Sequence, residues 1–190
     1  MDGARLTRSD APQMNHDHYP EDYISGILRE VRTIAIVGAS ANEVRPSFFV
    51  LKYLLDKGYD AIPINPGLAG KQILGQTVYA SLKDVPRPVD MVDIFRSSDA
   101  VPKIVEEALA LEPRPKVIWM QLSIRNDGAA EKAEEAGLKV VMNRCPKMEY
   151  GKLSGEWGWV GGFSGTLSSR RQQLHASGKV QSLGLAPGKR

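Results

Sequence analysis

Between about residue 20 and residue 145, the chain alternates short apolar runs with segments whose apolar residues recur at helical spacing. Tyr23, Ile24, Ile27, Leu28 and Val31 follow a helical period and predict a short helix over Glu21–Val31. Thr33–Val37 (TIAIV) is continuously apolar and predicts a buried strand. The pattern breaks at Gly38 and resumes with helical period over Pro46–Lys57, where Phe49, Val50, Tyr53 and Leu54 are expected to face a sheet. Pro46 suits an early helical position and Gly58 ends the helix. Asp60–Ile64 predicts a second strand that closes on the turn Asn65-Pro66-Gly67.

The passage GLAGKQILG follows where a crossover helix would normally stand, and Val78-Tyr79 predicts a brief third strand. Asp90–Phe95, Lys116–Met120 and Leu138–Met142 predict the fourth, fifth and sixth. Between them lie a helix capped by Ser98 or Asp99 that runs through Leu111, and a helix Asp127–Ala136 stopped by Gly137. This alternation predicts an α/β fold, a Rossmann-like doubly wound parallel sheet with helices on both faces, three layers in all. The expected strand order is 3-2-1-4-5-6 with Val78-Tyr79 at the edge; without that strand it becomes the flavodoxin-like 2-1-3-4-5. No internal repeat is visible. Residues 1–19 read as a flexible polar N-terminus, 20–150 as the domain, and 151–190 as a basic, glycine-rich tail.

Composition changes this picture little. At 42% hydrophobic and 25% charged, the 190 residues are those of an ordinary globular protein. Neither a spanning apolar run nor a secretory h-region is present, and the one cysteine, Cys145, fits a reducing compartment, so a cytoplasmic location is expected. Charge is unevenly placed. From Gly151 onward six Lys or Arg face one acid, so that segment carries +5 and residues 1–150 carry −2 of the overall +3. No basic stripe with interleaved aromatics marks the body as a nucleic-acid binder, and no membrane contact is expected. The tail, with Trp157 and Trp159 in glycine-rich surroundings, is a candidate for wrapping the domain or meeting a protein partner.

In open parallel sheets ligands sit beyond the carboxyl ends of the strands. Four predicted loops converge there. Gly38–Ser47 combines backbone N–H groups at Gly38 and Ala39, the Ser40 hydroxyl, a helix N-terminus and Arg45, which together suit an anion. Gly38 alone, without the G-x-G-x-x-G of a dinucleotide fingerprint, also fits a plain tight turn. Asn65–Gly75 lacks the acid that NAD enzymes place at the end of the second strand to pair with ribose hydroxyls. Pro63 and Pro66 offer apolar faces for a base there, and Lys71 can meet a phosphate, including the 2′-phosphate of NADP.

The ordered set IAIVGAS…RPS, GYDAIPINPGLAGKQILG, VYASLKDVP, VDMVDIFR and VIWMQLSIRN resembles the small bacterial coenzyme A-binding proteins of the Rossmann type, over about Val31 to Tyr150. Those are related to the coenzyme A-binding domain of the succinyl-CoA synthetase alpha subunit. The resemblance implies coenzyme A or acyl-coenzyme A as ligand. It places the pyrophosphate at Gly38, Ala39 and Ser40 with Arg45 and Ser47 nearby, and the adenosine at Asn65 and Pro66. It assigns a phosphate to Lys71 and the pantetheine path to Phe95, Arg96 and Gln121.

Chemistry beyond binding has thin support. His16, His18 and His175 all lie in the polar ends, so the phosphorylated histidine of the synthetase has no counterpart, and the His-Asp-His run is read as incidental rather than as a metal site. Cys145 follows the sixth strand beside Arg144 and Lys147; a packing cysteine is the preferred reading and a reactive thiol the alternative. Asp90 and Asp93 point to opposite faces, one expected as a strand-end cap and the other as a loop carboxylate. With no catalytic constellation, the expected function is a coenzyme A-binding protein of non-catalytic or accessory type. The alternatives are an NAD(P)-binding oxidoreductase or redox sensor, and an interaction module acting through the tail.

Overall fold

Strand β1, Thr33–Val37, lies inside a parallel sheet because its side chains alternate between two apolar layers: Ile34 and Ile36 to one face, Ala35 to the other. The computed structural model describes residues 14–156. Helices α1 (Glu21–Glu30), α2 (Pro46–Asp56) and α5 (Pro146–Ser154) pack on the first face. Helices α3 (Val101–Leu109) and α4 (Asp127–Glu135) pack on the second. The result is three layers around a five-stranded parallel sheet. It is made of β1, β2 (Asp60–Ile64), β5 (Met91–Ile94), β6 (Val117–Met120) and β7 (Lys139–Val141). The α/β class and its doubly wound character are as the sequence predicts.

The strand order is not. The sheet runs β2-β1-β5-β6-β7, which is 2-1-3-4-5 when only its own strands are counted, rather than 3-2-1-4-5-6. Val78-Tyr79 meets β2 through a single bridge, with Tyr79 N–H donating to Pro63 O (3.1 Å) and Asn65 N–H donating to Tyr79 O (2.9 Å). The next rung of a parallel ladder would need an N–H at position 63, and proline has none. The chain instead folds back on itself before this bridge as a hairpin of β3 (Gln72–Ile73) and β4 (Gln76–Thr77), turned by Leu74 and Gly75 with positive φ.

Edge strand β7 is served by tyrosines from the N-terminal side. The Tyr23 hydroxyl donates to Val140 O and accepts from Val140 N–H, both at 3.2 Å, and the Tyr19 hydroxyl accepts from Met142 N–H at 2.7 Å. The two rings are stacked. Tyr19 is buried, and α5 runs through the position at which the sequence reading divides domain from tail. Residues 1–13 and 157–190, and with them His175, Trp157 and Trp159, lie outside the described residues. Among the described residues no helix is long and apolar enough to cross a membrane.

In α2 the buried side chains are Ser47, Val50, Leu51 and Leu54, an i, i+3, i+4, i+7 set. Phe49, expected to face the sheet, is instead 51% exposed, because that stripe passes from Ser47 to Val50 and leaves it out.

Candidate functional site

The carboxyl ends of β1, β2, β5 and β6 present loops 38–45, 65–71, 95–97 and 121–126 along one edge. The first is built on Gly38. Its φ of +92° is disfavoured for any side chain, and a Cβ there would sit 2.9 Å from Arg96 Cδ and 3.2 Å from Phe95 O. The glycine therefore serves the close approach of the β1 and β5 loops. Its N–H and that of Ala39 both point to Ile64 O, at 2.9 and 3.2 Å. The two groups that the sequence reading offers to a pyrophosphate are thus engaged within the fold.

The anion-ready groups lie slightly further on. Asn42 N–H donates to Ser40 Oγ (3.1 Å) and Val44 N–H to Asn42 Oδ1 (3.0 Å), two local turns that shape the loop. Among the described residues, the N–H groups of Ser40 and Ala41 take no partner in these hydrogen bonds. Arg45 is the N-cap of α2 in extended conformation, no side chain caps this helix end, and its first turn carries no acid. Ser47 is 4% exposed in that turn. An uncapped helix N-terminus beside an arginine favours negative charge.

Asn65 ties the second loop to the first. Its Nδ2 donates to Ala39 O at 2.7 Å and its Oδ1 accepts from Gly67 N–H at 2.9 Å, closing the 3₁₀ turn Pro66–Leu68. Pro66 and Lys71 are exposed beyond it. Phe95 is half-buried with its N–H on Val37 O (2.8 Å), and Arg96 is exposed over Gly38. The fold thus brings Gly38, Ala39, Asn65, Phe95 and Arg96 together, with Ser40, Arg45 and Ser47 one turn away. No acid ends β2.

Gln121 differs from expectation. It is 5% exposed and its Nε2 donates to both carboxylate oxygens of Asp93, each at 3.0 Å. Asp93 is not a loop carboxylate but a fully buried residue of β5; burial pushes its carboxyl up to about 8, partly opposed by the Gln121 amide. A central strand buried on both faces leaves no exposed position, a signal already present in the apolar run around it. Asp90 is the strand-end clamp: it accepts from Arg32 N–H (2.9 Å) and Thr33 N–H (3.1 Å) and pairs with Lys116.

Cys145 is buried at the start of α5. Burial pushes its thiol up, opposed by the Met148 and Lys147 N–H groups and reinforced by nearby Asp93. This is a packing cysteine. His16 lies between Tyr19 OH (2.8 Å) and Glu134 (3.3 Å), while Asp17 pairs with Arg125. Among the described residues no group of three or more His, Cys, Asp or Glu is arranged to hold a metal ion.

Residues 32–151 match the family described as CoA binding domain. The chain belongs to that family. It is 36% identical over 127 residues to the uncharacterized protein YneT of Bacillus subtilis, covering 67% of this chain and 91% of that one. A hypothetical protein from Pyrococcus horikoshii is 36% identical and superposes with a TM-score of 0.68 over 75% of this chain and 98% of its own. The ADP-forming acetate–CoA ligase of Methanocaldococcus jannaschii is 33% identical over 86 residues, which is 45% of this chain but only 12% of the ligase.

Proposed function

We propose that this protein binds coenzyme A or an acyl-coenzyme A, as an accessory protein without a complete active site of its own. The observation that carries the reading is the uncapped N-terminus of α2, with Arg45, buried Ser47 and the N–H groups of Ser40 and Ala41 beside it. The pyrophosphate sits there. The adenosine lies against Asn65 and Pro66, where the absence of an acid leaves nothing to hold the ribose hydroxyls of a nicotinamide dinucleotide. Lys71 meets a phosphate of the adenosine end. The pantetheine passes Phe95 and Arg96 and the backbone at Gln121, whose side chain stays inside with Asp93.

A ligand that binds only the folded state raises its melting temperature by mass action, by about 2.7 kcal/mol at a hundredfold excess over Kd. Coenzyme A is expected to stabilise the protein more than NAD or NADP does in thermal denaturation. A larger shift with either dinucleotide would overturn the proposal.

A further inference from the structure

The Asp93–Gln121 pair leaves one hydrogen-bonding atom over. Trp119 belongs to the apolar layer on the first face and Met120 to the second, so Gln121 returns to the first, where it meets Asp93. Its Nε2 spans both carboxylate oxygens at 3.0 Å, which turns Oε1 away from them. Among the described residues every buried side-chain N or O has a partner, and Oε1 accepts from none of them. That oxygen is therefore the part of the nearly buried side chain that reaches the surface. It emerges where Gln121 N–H is held by Ile94 O (3.2 Å), beside the loops that follow β5 and β6. The N-terminus of α2, with Ser47 in its first turn, lies on the same face.

Which end of the amide faces out depends on the carboxyl. An ionised carboxylate only accepts, so it draws in the NH2 group and leaves Oε1 outside. A protonated carboxyl has an O–H to donate; Oε1 then turns inward and the NH2 takes the outer place. Burial favours the protonated form. The buried faces of α1 and α2 carry no charged side chain to offset this, and the sheet neighbours are Ile36 and Trp119. From α5 come Tyr150, packed among Tyr53 and Tyr59, and the thiol of Cys145, which burial also keeps protonated.

We infer that Gln121 Oε1 accepts a hydrogen bond from an amide N–H of the pantetheine arm, and that binding thereby drives the Asp93 proton out to solvent. The inference rests on the coenzyme A reading of the loops; pantetheine carries two secondary amides, each with one N–H. Asp93 gives up one proton and becomes a carboxylate, which the inward NH2 of Gln121 then holds. Affinity accordingly rises by up to about tenfold for each pH unit below the carboxyl's midpoint and levels off above it.

The test follows the Asp93 carboxyl by carbon NMR in the full chain labelled with carbon-13 aspartate, its signal identified by its loss in Asp93→Asn. Saturating coenzyme A is expected to lower the midpoint of its titration by about one pH unit or more. The nucleotide 3′-phosphoadenosine 5′-diphosphate, which lacks pantetheine, leaves the midpoint where it is. Bound coenzyme A also leaves it unmoved in Gln121→Met, which keeps the length of the side chain without its oxygen. A midpoint unmoved by bound coenzyme A in the unaltered protein overturns the inference. An equal fall with the pantetheine-free nucleotide, or in Gln121→Met, overturns it too. If Gln121→Met does not fold, the two ligands on the unaltered protein decide the matter alone. Calorimetric titration of the same samples separates the two levels: no binding of coenzyme A fells that reading and this inference together, whereas binding with an unmoved midpoint fells only the inference.

Discussion

The Gln121 side-chain amide holds the Asp93 carboxylate from 3.0 Å on both oxygens, in a row of the sheet otherwise formed by Pro63, Ile36, Trp119 and Val141. A carboxyl in apolar surroundings with one amide partner favours its protonated form. Its folded pKa of about 8 lies above the ordinary 3.8, so the folded state holds the proton more tightly than the unfolded chain. The stabilisation is fully present below pH 3.8 and is lost as pH rises to about 8. Asp93→Asn is expected to flatten this dependence and to raise stability at pH 8 by on the order of 1–3 kcal/mol, with little gain at pH 4. Thermal melts of both proteins at the two pH values decide it; equal slopes would count against a buried titrating carboxyl.

Gly38→Ala is expected to destabilise the fold by about 1–3 kcal/mol, from positive φ and from contact with Arg96 and Phe95. Arg96→Ala relieves only the side-chain part, because the Phe95 carbonyl stays at 3.2 Å from the added carbon. A double-mutant cycle in urea measures the split; full rescue would place the whole cost on Arg96.

Asn65→Asp keeps the acceptor for Gly67 N–H but turns the donor to Ala39 O into a second oxygen. A loss of roughly 1–3 kcal/mol in unfolding free energy is expected, along with weaker coenzyme A binding, since the two loops lose their tie. Unchanged stability would show that Ala39 O finds another donor.

Lys71→Ala is expected to weaken coenzyme A more than dephospho-coenzyme A, by about 1.5–3 kcal/mol for a charge-assisted contact with the 3′-phosphate. Calorimetric titration of both ligands reads the difference. Equal losses would move the lysine to another phosphate.

Much of the fold was legible because strong local signals agree with the tertiary outcome. β1 and β2 match their apolar runs to the residue, and Pro46, Gly58 and Gly137 punctuate the helices as expected. Helix α5 was not legible: it buries Pro146, Tyr150, Gly151 and Ser154, a stripe of mixed character that gives no apolar period. The third strand failed on one missing N–H, at Pro63. At the candidate site, residue types pointed to the edge where the loops after β1, β2, β5 and β6 gather, but sequence does not show which N–H groups the fold has already engaged. Ile64 O takes those of Gly38 and Ala39, and that depends on the register between β1 and β2.

The tyrosine hydroxyls on β7 and the proline in β2 have a consequence for how the protein meets its neighbours. At one end of the sheet, Tyr19 and Tyr23 occupy backbone groups that an incoming strand would need. At the other, Tyr79 holds its single rung and Pro63 withholds the next. An open parallel sheet is ordinarily a template that can grow. Among the described residues this one is obstructed at both ends, so a second copy or an adjoining domain is expected to attach through helices and loops rather than by widening the row of five strands.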